Sequence, residues 1–393
     1  MTQEKIFYLD HCGTTPLSAD VKDKLRELVN KDVFGNPSAS HHILGKTAES
    51  LVNESRAAIA ASIGARTDEI IFTGSATEAN NMVLWGHALR FQGRNPCIFF
   101  GTTEHKSIYE TCVAIGDSGL AKTEELPVLP DGKIDLDQLE VKLKAARGRP
   151  ALVTLMHVNN EIPVRHPVEQ ISALCRQNDA FFHCDGVQGF VREELNFSGE
   201  TFGSYVISPH KVYGPKGAGI LVLGRNELSP RIKATYCGGD QEFSLRPGTH
   251  NTLAIAAAAT ALTSHKYLRP ARVEHMHRCA EEFVATLTQK AKSVKLTLPL
   301  QKDAAGIVNF YAHGLDAPTL LEEVPHVCIN RGSSCLGAHG EKFSHVPKAL
   351  GLPVEIQANV LRASFGEMIS PAEAGLAAEI LAATIEKIKS PNS

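Results

Sequence analysis

The sequence predicts an α/β protein built on a mainly parallel sheet, and three observations carry that prediction. Short apolar runs recur between about Ile70 and Leu223. Amphipathic stretches with helical spacing follow several of them, and strand–helix alternation of this kind favours parallel strands covered by helices. The chain has 393 residues, 43% hydrophobic and 21% charged, which is enough for a substantial core and for two domains.

Taken in order, the strand candidates are EIIFT (69–73), CIFF (97–100), ALVTLM (151–156), AFFH (180–183), SYVIS (204–208) and GILVL (219–223). Each is a short apolar run bounded by turn-forming or polar residues. Helical spacing starts at Ala76 and again over Val168–Arg176. The Ala-rich segment 251–263 reads as a tightly packed helix and Glu274–Lys292 as a second, amphipathic one. Short strands over Ala305–Tyr311 and a closing helix over Pro371–Lys389 complete a smaller α+β part. The expected division is a large domain over residues 16–262 and a small one over 1–15 and 263–393, with the N-terminal segment packing on the small part or bridging the two.

Composition narrows the function classes. A formal net charge of −3 gives no reason to expect a nucleic acid or an anionic membrane as partner. No apolar run reaches the ~18 residues that a spanning helix needs. The start, MTQEKIFYLD, lacks the successive regions of a signal peptide, so a cytoplasmic protein is expected. Nine cysteines, an odd number with no CxxC pair, predict reduced thiols rather than disulfides or a metal site.

Chemistry is written in three places. In SPHKVYGPKGAGILVL (208–223), Lys211 follows a strand among small and polar residues, as an amine that forms a Schiff base requires; a surface lysine before a glycine turn is the plainer alternative. In FFHCDGVQG (181–189), Asp185 ends a strand 26 residues before Lys211. A carboxylate there suits a cofactor whose ring nitrogen must stay protonated, although aspartate also caps helices. In FTGSATEANN (72–81), Gly74 to Thr77 lead from strand to helix, where backbone N–H groups form an anion site suited to a phosphate. Simple capping would also explain this turn, which is neither a Walker loop nor GxGxxG.

The sequence resembles the cysteine desulfurases and selenocysteine lyases of the class V aminotransferase group over essentially its whole length. The matching segments fall in the family's order: YLDHCGTTP (8–16), FGNPSASH (34–41), TGSATEANN (73–81), TTEHKS (102–107), MHVNNEIP (156–163), HCDGVQ (183–188), SPHKVYGPKG (208–217), LRPGTHN (245–251), RGSSC (331–335), SHVPKALGL (344–352) and LRASFG (361–366). The resemblance implies the fold of the type I pyridoxal-phosphate-dependent transferases, with a seven-stranded, mainly parallel sheet in the large domain.

It also implies roles for individual residues. Lys211 would carry pyridoxal 5'-phosphate and shuttle protons at the substrate α-carbon, with Asp185 on the pyridine nitrogen. Gln188 and Asn160 would lie near the ring hydroxyl or the substrate, His105 and Val187 on the two ring faces. Ala76, Thr77, Ser208 and His210 would bind the phosphate, and Thr249 would reach it from a neighbouring subunit, implying a homodimer. Arg362 would clamp the substrate carboxylate. Cys335, in the small-residue loop from Arg331 to Gly337, would take the sulfur as a persulfide before a sulfur-acceptor protein receives it. The implied reaction converts L-cysteine to L-alanine. L-selenocysteine as substrate, a persulfide-independent β-lyase or aminotransferase, and a non-catalytic scaffold are the alternatives.

Three departures from the family pattern stand out. His11 and Cys12 occupy the N-terminal motif, as tolerated variation or, for Cys12, as a residue of sulfur handling or redox control. Gly186 replaces a usual alanine, which predicts looser packing and a larger ring-side pocket. The segment LGAHGEKF after Cys335 carries a histidine and a lysine where small residues are common.

Overall fold

The computed structural model describes residues 5–197, 202–224, 232–331 and 344–390. Its centre is a seven-stranded sheet in the order Ile70–Thr73, Gly219–Leu223, Ser204–Ile207, Ala180–Asp185, Ala151–Met156, Cys97–Gly101, Lys122–Leu126. Gly219–Leu223 runs antiparallel to both neighbours, and every other pairing is parallel. Successive side chains alternate between two cores, as a pleat requires. Phe99, Val153 and Phe182 join one, while Ile98, Leu152 and Phe181 join the other. Burial on both faces explains why these strands read as continuous apolar runs.

Lys122–Leu126 was not foreseen. Its sequence, KTEEL, is largely polar because it is an edge strand, paired only with Cys97–Gly101. Lys122 and Lys142 each reach Glu124 at 2.6 Å, so the charges face one another along that edge.

The expected pair of helices after residue 251 is instead one helix, Thr252–Lys290, of 39 residues with Pro270 inside it. Pro270 lies on the exposed side, where water can hydrate the carbonyl left without its helical donor. Tertiary packing holds the two halves in line. Ala256, Ala257, Ala258 and Ala261 are buried along the first half, and Cys279, Phe283 and Leu287 along the second. The expected domain limit at residue 262 therefore falls within a continuous helix.

A third core gathers Phe283, Phe310, Phe365 and Leu381. It lies among the long helix, the antiparallel strands Val294–Leu296, Ile307–Ala312 and Leu361–Ser364, and the closing helix Pro371–Lys389. Ser370 and Glu373 form a reciprocal capping box at the start of that closing helix, with proline at its first position. The N-terminal segment joins both parts. Phe7–Tyr8 pairs in parallel with Val327–Cys328, whereas Thr15 donates from N and Oγ1 to the His210 carbonyl beside the large sheet. No helix among the described residues is long and apolar enough to cross a membrane.

Candidate active site

Six strands of the large sheet, all but Gly219–Leu223, end at the same edge, the place where open α/β sheets bind ligands. A cavity of about 410 Å³ opens there. Its wall includes Ala76, Thr77, His105, Asn160, Asp185, Val187, Gln188, Ser208, His210, Lys211 and Arg362, which the sequence had marked. Thr249 does not line the cavity of its own chain. Cys335 and the segment LGAHGEKF lie outside the described residues.

Lys211 closes a single 3-10 turn, Pro209–Lys211, immediately beyond strand Ser204–Ile207. Pro209 pre-sets that turn, and the lysine is directed back over the sheet edge. Its Nζ donates to the Cys12 and Gly13 carbonyls, each at 2.6 Å. Burial pushes its pKa down to about 8, against opposing pulls from Cys12, Asp10 and Asp185. A solvated surface lysine would show none of this.

Asp185 is the last residue of its strand. Oδ1 accepts from Val187 N at 3.0 Å and Oδ2 from Asn80 Nδ2 at 2.9 Å. Asn80 is wholly buried and also donates to Ser107 Oγ at 2.9 Å, while its own oxygen pairs with His183 Nε2 at 3.1 Å. Ser107 Oγ in turn lies 2.8 Å from His105 Nδ1. One network, buried from Asp185 through Asn80 to Ser107, thus ties the strand-end acid to His105, whose ring is exposed at the cavity wall. Asn80 was missed in the sequence, although its place four residues after Ala76, on the same helix face, was the available signal.

His105 caps helix Lys106–Asp117, its side chain accepting from Ser107 N at 3.1 Å. Burial lowers its pKa, with Asp185 opposing. Ser75 caps helix Ala76–Arg90 and accepts from Glu78 N at 3.1 Å. The first N–H groups of that helix have no acceptor within it. His210 Nδ1 lies 3.0 Å from Thr14 Oγ1, and burial, then Lys211 and Lys216, take its pKa to about 4.

Arg362, on strand Leu361–Ser364, is 2% exposed, which excludes a solvated surface position. Nη1 donates to the Asn160 carbonyl at 2.8 Å and Nη2 to Asp10 at 2.5 Å. Nε is buried without a partner. Burial works against the guanidinium charge, but Cys12, Asp10 and Glu161 outweigh it. Glu161 lines the cavity as well, and its burial raises its pKa.

Gly186 does not enlarge the pocket as its missing side chain had suggested. An added Cβ would lie 1.8 Å from Tyr205 Cε1, so that ring already fills the space. The Tyr205 hydroxyl donates to the Gly186 carbonyl at 3.3 Å and pairs with His157 Nδ1 at 3.0 Å. The eight described cysteines are free, and no cluster of described residues could hold a metal ion.

Fold and cavity together define an α/β enzyme with a half-buried lysine, Lys211, in the cavity at its strand ends. The family model "Aminotransferase class-V" matches residues 7–374, and the chain belongs to that family, with the expected fold of the type I pyridoxal-phosphate-dependent transferases. It is 30% identical over 384 residues to cysteine desulfurase IscS of Rickettsia felis, a match covering 97% of this chain and 92% of that protein. Among solved structures, a NifS-like protein from Rickettsia africae is similar with a TM-score of 0.80 at 26% identity, covering 98% of this chain and 99% of that one. SspA in complex with cysteine is similar with a TM-score of 0.77 at 27% identity, covering 92% and 99%.

Proposed function

We propose that the protein binds pyridoxal 5'-phosphate at Lys211 and takes sulfur from L-cysteine, releasing L-alanine, with Cys335 receiving the sulfur as a persulfide. The observation that carries this is the meeting of the buried Lys211 amine and the Asp185 carboxylate in one strand-end cavity. The curated relative named a cysteine desulfurase and the structure solved with cysteine support the same reading.

The donor set fits the cofactor. Asp185, fixed by Asn80 and Val187, offers an anion for a protonated ring nitrogen. The first N–H groups of helix Ala76–Arg90, with Thr77, Ser208 and His210, would hold the phosphate. Gln188 and Asn160 would serve the ring hydroxyl or the substrate, and His105 and Val187 the ring faces. Bound there, pyridoxal phosphate supplies an electron sink that acidifies the substrate α-hydrogen and labilises its β-sulfur.

The chain's own residues do the rest. The Lys211 amine, at about 8, exchanges a proton readily near neutral pH, and the Cys12 and Gly13 carbonyls fix its direction. His105, exposed at the cavity wall and held by Ser107, would stack on the ring and assist proton transfer. Arg362 is held in place through one N–H on each of Nη1 and Nη2, and its unpaired Nε with the remaining Nη N–H groups would serve the amino-acid carboxylate. Thr249, outside its own cavity, would complete the phosphate site of a second copy in a homodimer. The assignment further includes a small domain formed by residues 1–15 and 263–393, a sulfur-acceptor protein as partner and a cytoplasmic location.

Turnover of L-cysteine and L-selenocysteine by wild type and Cys335→Ala tests the assignment. Alanine should form from cysteine and be lost in Cys335→Ala, and the yellow colour of the protein should be lost in Lys211→Ala. Retained activity on selenocysteine alone in Cys335→Ala would move the assignment to the lyase. A colourless wild-type protein that releases no alanine would remove it.

A further inference from the structure

Arg192 is a buried cation that the proposed reaction does not use. It is 7% exposed and donates from Nε to the Ala305 carbonyl at 2.8 Å, and from Nη1 to Gln188 O at 3.2 Å and Oε1 at 2.8 Å. Its Nη2 meets Cys12 Sγ at 3.7 Å, and among the described residues no carboxylate pairs with it. A buried guanidinium without a counter-charge is destabilising, and proteins rarely keep one unmatched. Burial depresses its pKa, and the strongest opposing influence is the Cys12 sulfur.

A second cation meets Cys12 through its backbone, Lys211 Nζ donating to the Cys12 carbonyl at 2.6 Å. After burial itself, Cys12 is the first influence on both Lys211 and Arg362. Cys12 also lines the 410 Å³ cavity, although it is only 4% exposed. A second cavity of about 20 Å³, lined by His11, Gln188, Arg192 and Lys211 among others, lies against the same side chains, and His11 Nε2 is buried without a hydrogen-bond partner. Burial pushes the thiols of Cys97, Cys112, Cys175, Cys184 and Cys279 up, and none of them lines the active cavity.

We propose that Cys12 is a second sulfur-accepting residue of this cavity, taking one sulfane sulfur atom from a persulfide or polysulfide with Arg192 as its counter-charge. The Cys12 sulfur attacks the outer sulfur of the donor. A new S–S bond forms to Cys12, the donor S–S bond breaks, and its electron pair leaves on the inner donor sulfur. The Cys12 thiol proton ends on that leaving thiolate, so a persulfide and a thiol exchange one sulfur atom with no net oxidation. Arg192, Lys211 and Arg362 stabilise the negative charge that develops on Cys12 during attack. The proposal rests on the desulfurase assignment only where L-cysteine is the source of the sulfur.

The full-length protein loaded with pyridoxal phosphate is exposed either to inorganic polysulfide or to L-cysteine. Persulfides are then trapped by alkylation and placed by peptide mass spectrometry. One added sulfur on Cys12 is expected in the polysulfide arm, formed roughly tenfold faster than on the exposed Cys237 despite the burial of Cys12. Cys237 reacting while Cys12 stays unmodified would overturn the proposal. Arg192→Met should slow Cys12 persulfidation about tenfold relative to Cys237, and an unchanged ratio would remove Arg192 from it. Should Arg192→Met fail to fold, the Cys12 to Cys237 ratio in wild type decides alone. In the L-cysteine arm, loss of the Cys12 persulfide in Cys335→Ala, with the polysulfide arm intact, assigns the sulfur to internal transfer. Alanine release without sulfur on Cys12 in either arm would leave the desulfurase assignment standing and this one refuted.

Discussion

At the residue scale, the site depends on a carboxylate whose orientation is set by neighbours rather than by itself. Asp185 is gripped by Asn80 on one oxygen and by Val187 N on the other. Asn80→Leu keeps the size near native but removes the side-chain donor and breaks the path to Ser107 and His105. Cofactor affinity, read by titrating the apoprotein with pyridoxal phosphate, should fall ~10–100-fold, the range found when partners of a charged site's ligands are removed. A wild-type dissociation constant would show that Val187 N suffices. Gly186→Ala meets the Tyr205 ring and should cost ~1–3 kcal/mol in urea unfolding. Had the glycine created spare room, alanine would be neutral.

At the scale of elements, what the sequence disclosed follows from burial. Ala151–Met156 and Gly219–Leu223 have the predicted bounds because each is buried at every position, a requirement that apolar residues meet at all but Thr154 and Gly219. KTEEL was invisible for the opposite reason, since an edge strand survives on backbone pairing while its side chains stay charged. Segments 251–263 and Glu274–Lys292 read as two helices, yet one helix continues through Pro270 because the alanine face before it and the Phe283 face after it are both packed. The alanines mark close approach, so Ala257→Leu, at a site with no exposure, should lower stability by ~1–3 kcal/mol through overpacking. An unchanged melting temperature would mean that the neighbouring elements can move apart. Ser75→Ala removes the cap of the helix whose first turn faces the cavity and should cost about 1 kcal/mol. The motif around it was legible as strand, turn and helix start, whereas Asn80, one turn further in, could be found only from its place on the same helix face as Ala76, because a helix-interior asparagine signals no chemistry by its type.

At the scale of the whole molecule, buried histidines set the response to acid. Burial lowers His157, His183 and His265 to about 3 and His166 to about 4. In the unfolded chain each titrates near its ordinary value of about 6.5. The native state therefore refuses protons that the unfolded state takes up, and stability fully present above pH ~6.5 is lost as pH falls toward the folded values. Each histidine contributes at most about 1.4 kcal/mol per pH unit within that window. Glu104 and Glu161 act in the other direction, because burial raises both. Their contribution is present below the ordinary carboxylate range and lost as pH rises through their folded values, so they offset part of the effect. Desolvation also lowers His11, His105 and His210 and raises Glu193, so seven histidines stand against three carboxylates and urea midpoints should fall between pH 6.5 and 5. His183, with Ser204 Oγ at 2.8 Å and Asn80 Oδ1 at 3.1 Å, provides the discriminating variant. His183→Gln should flatten the stability slope in that window by up to one proton's worth. A slope identical to wild type would mean that His183 accepts its proton in the native state. The Asn80–Asp185 network would then sit beside a cation as the solution is acidified, and cofactor affinity would change over the same pH range.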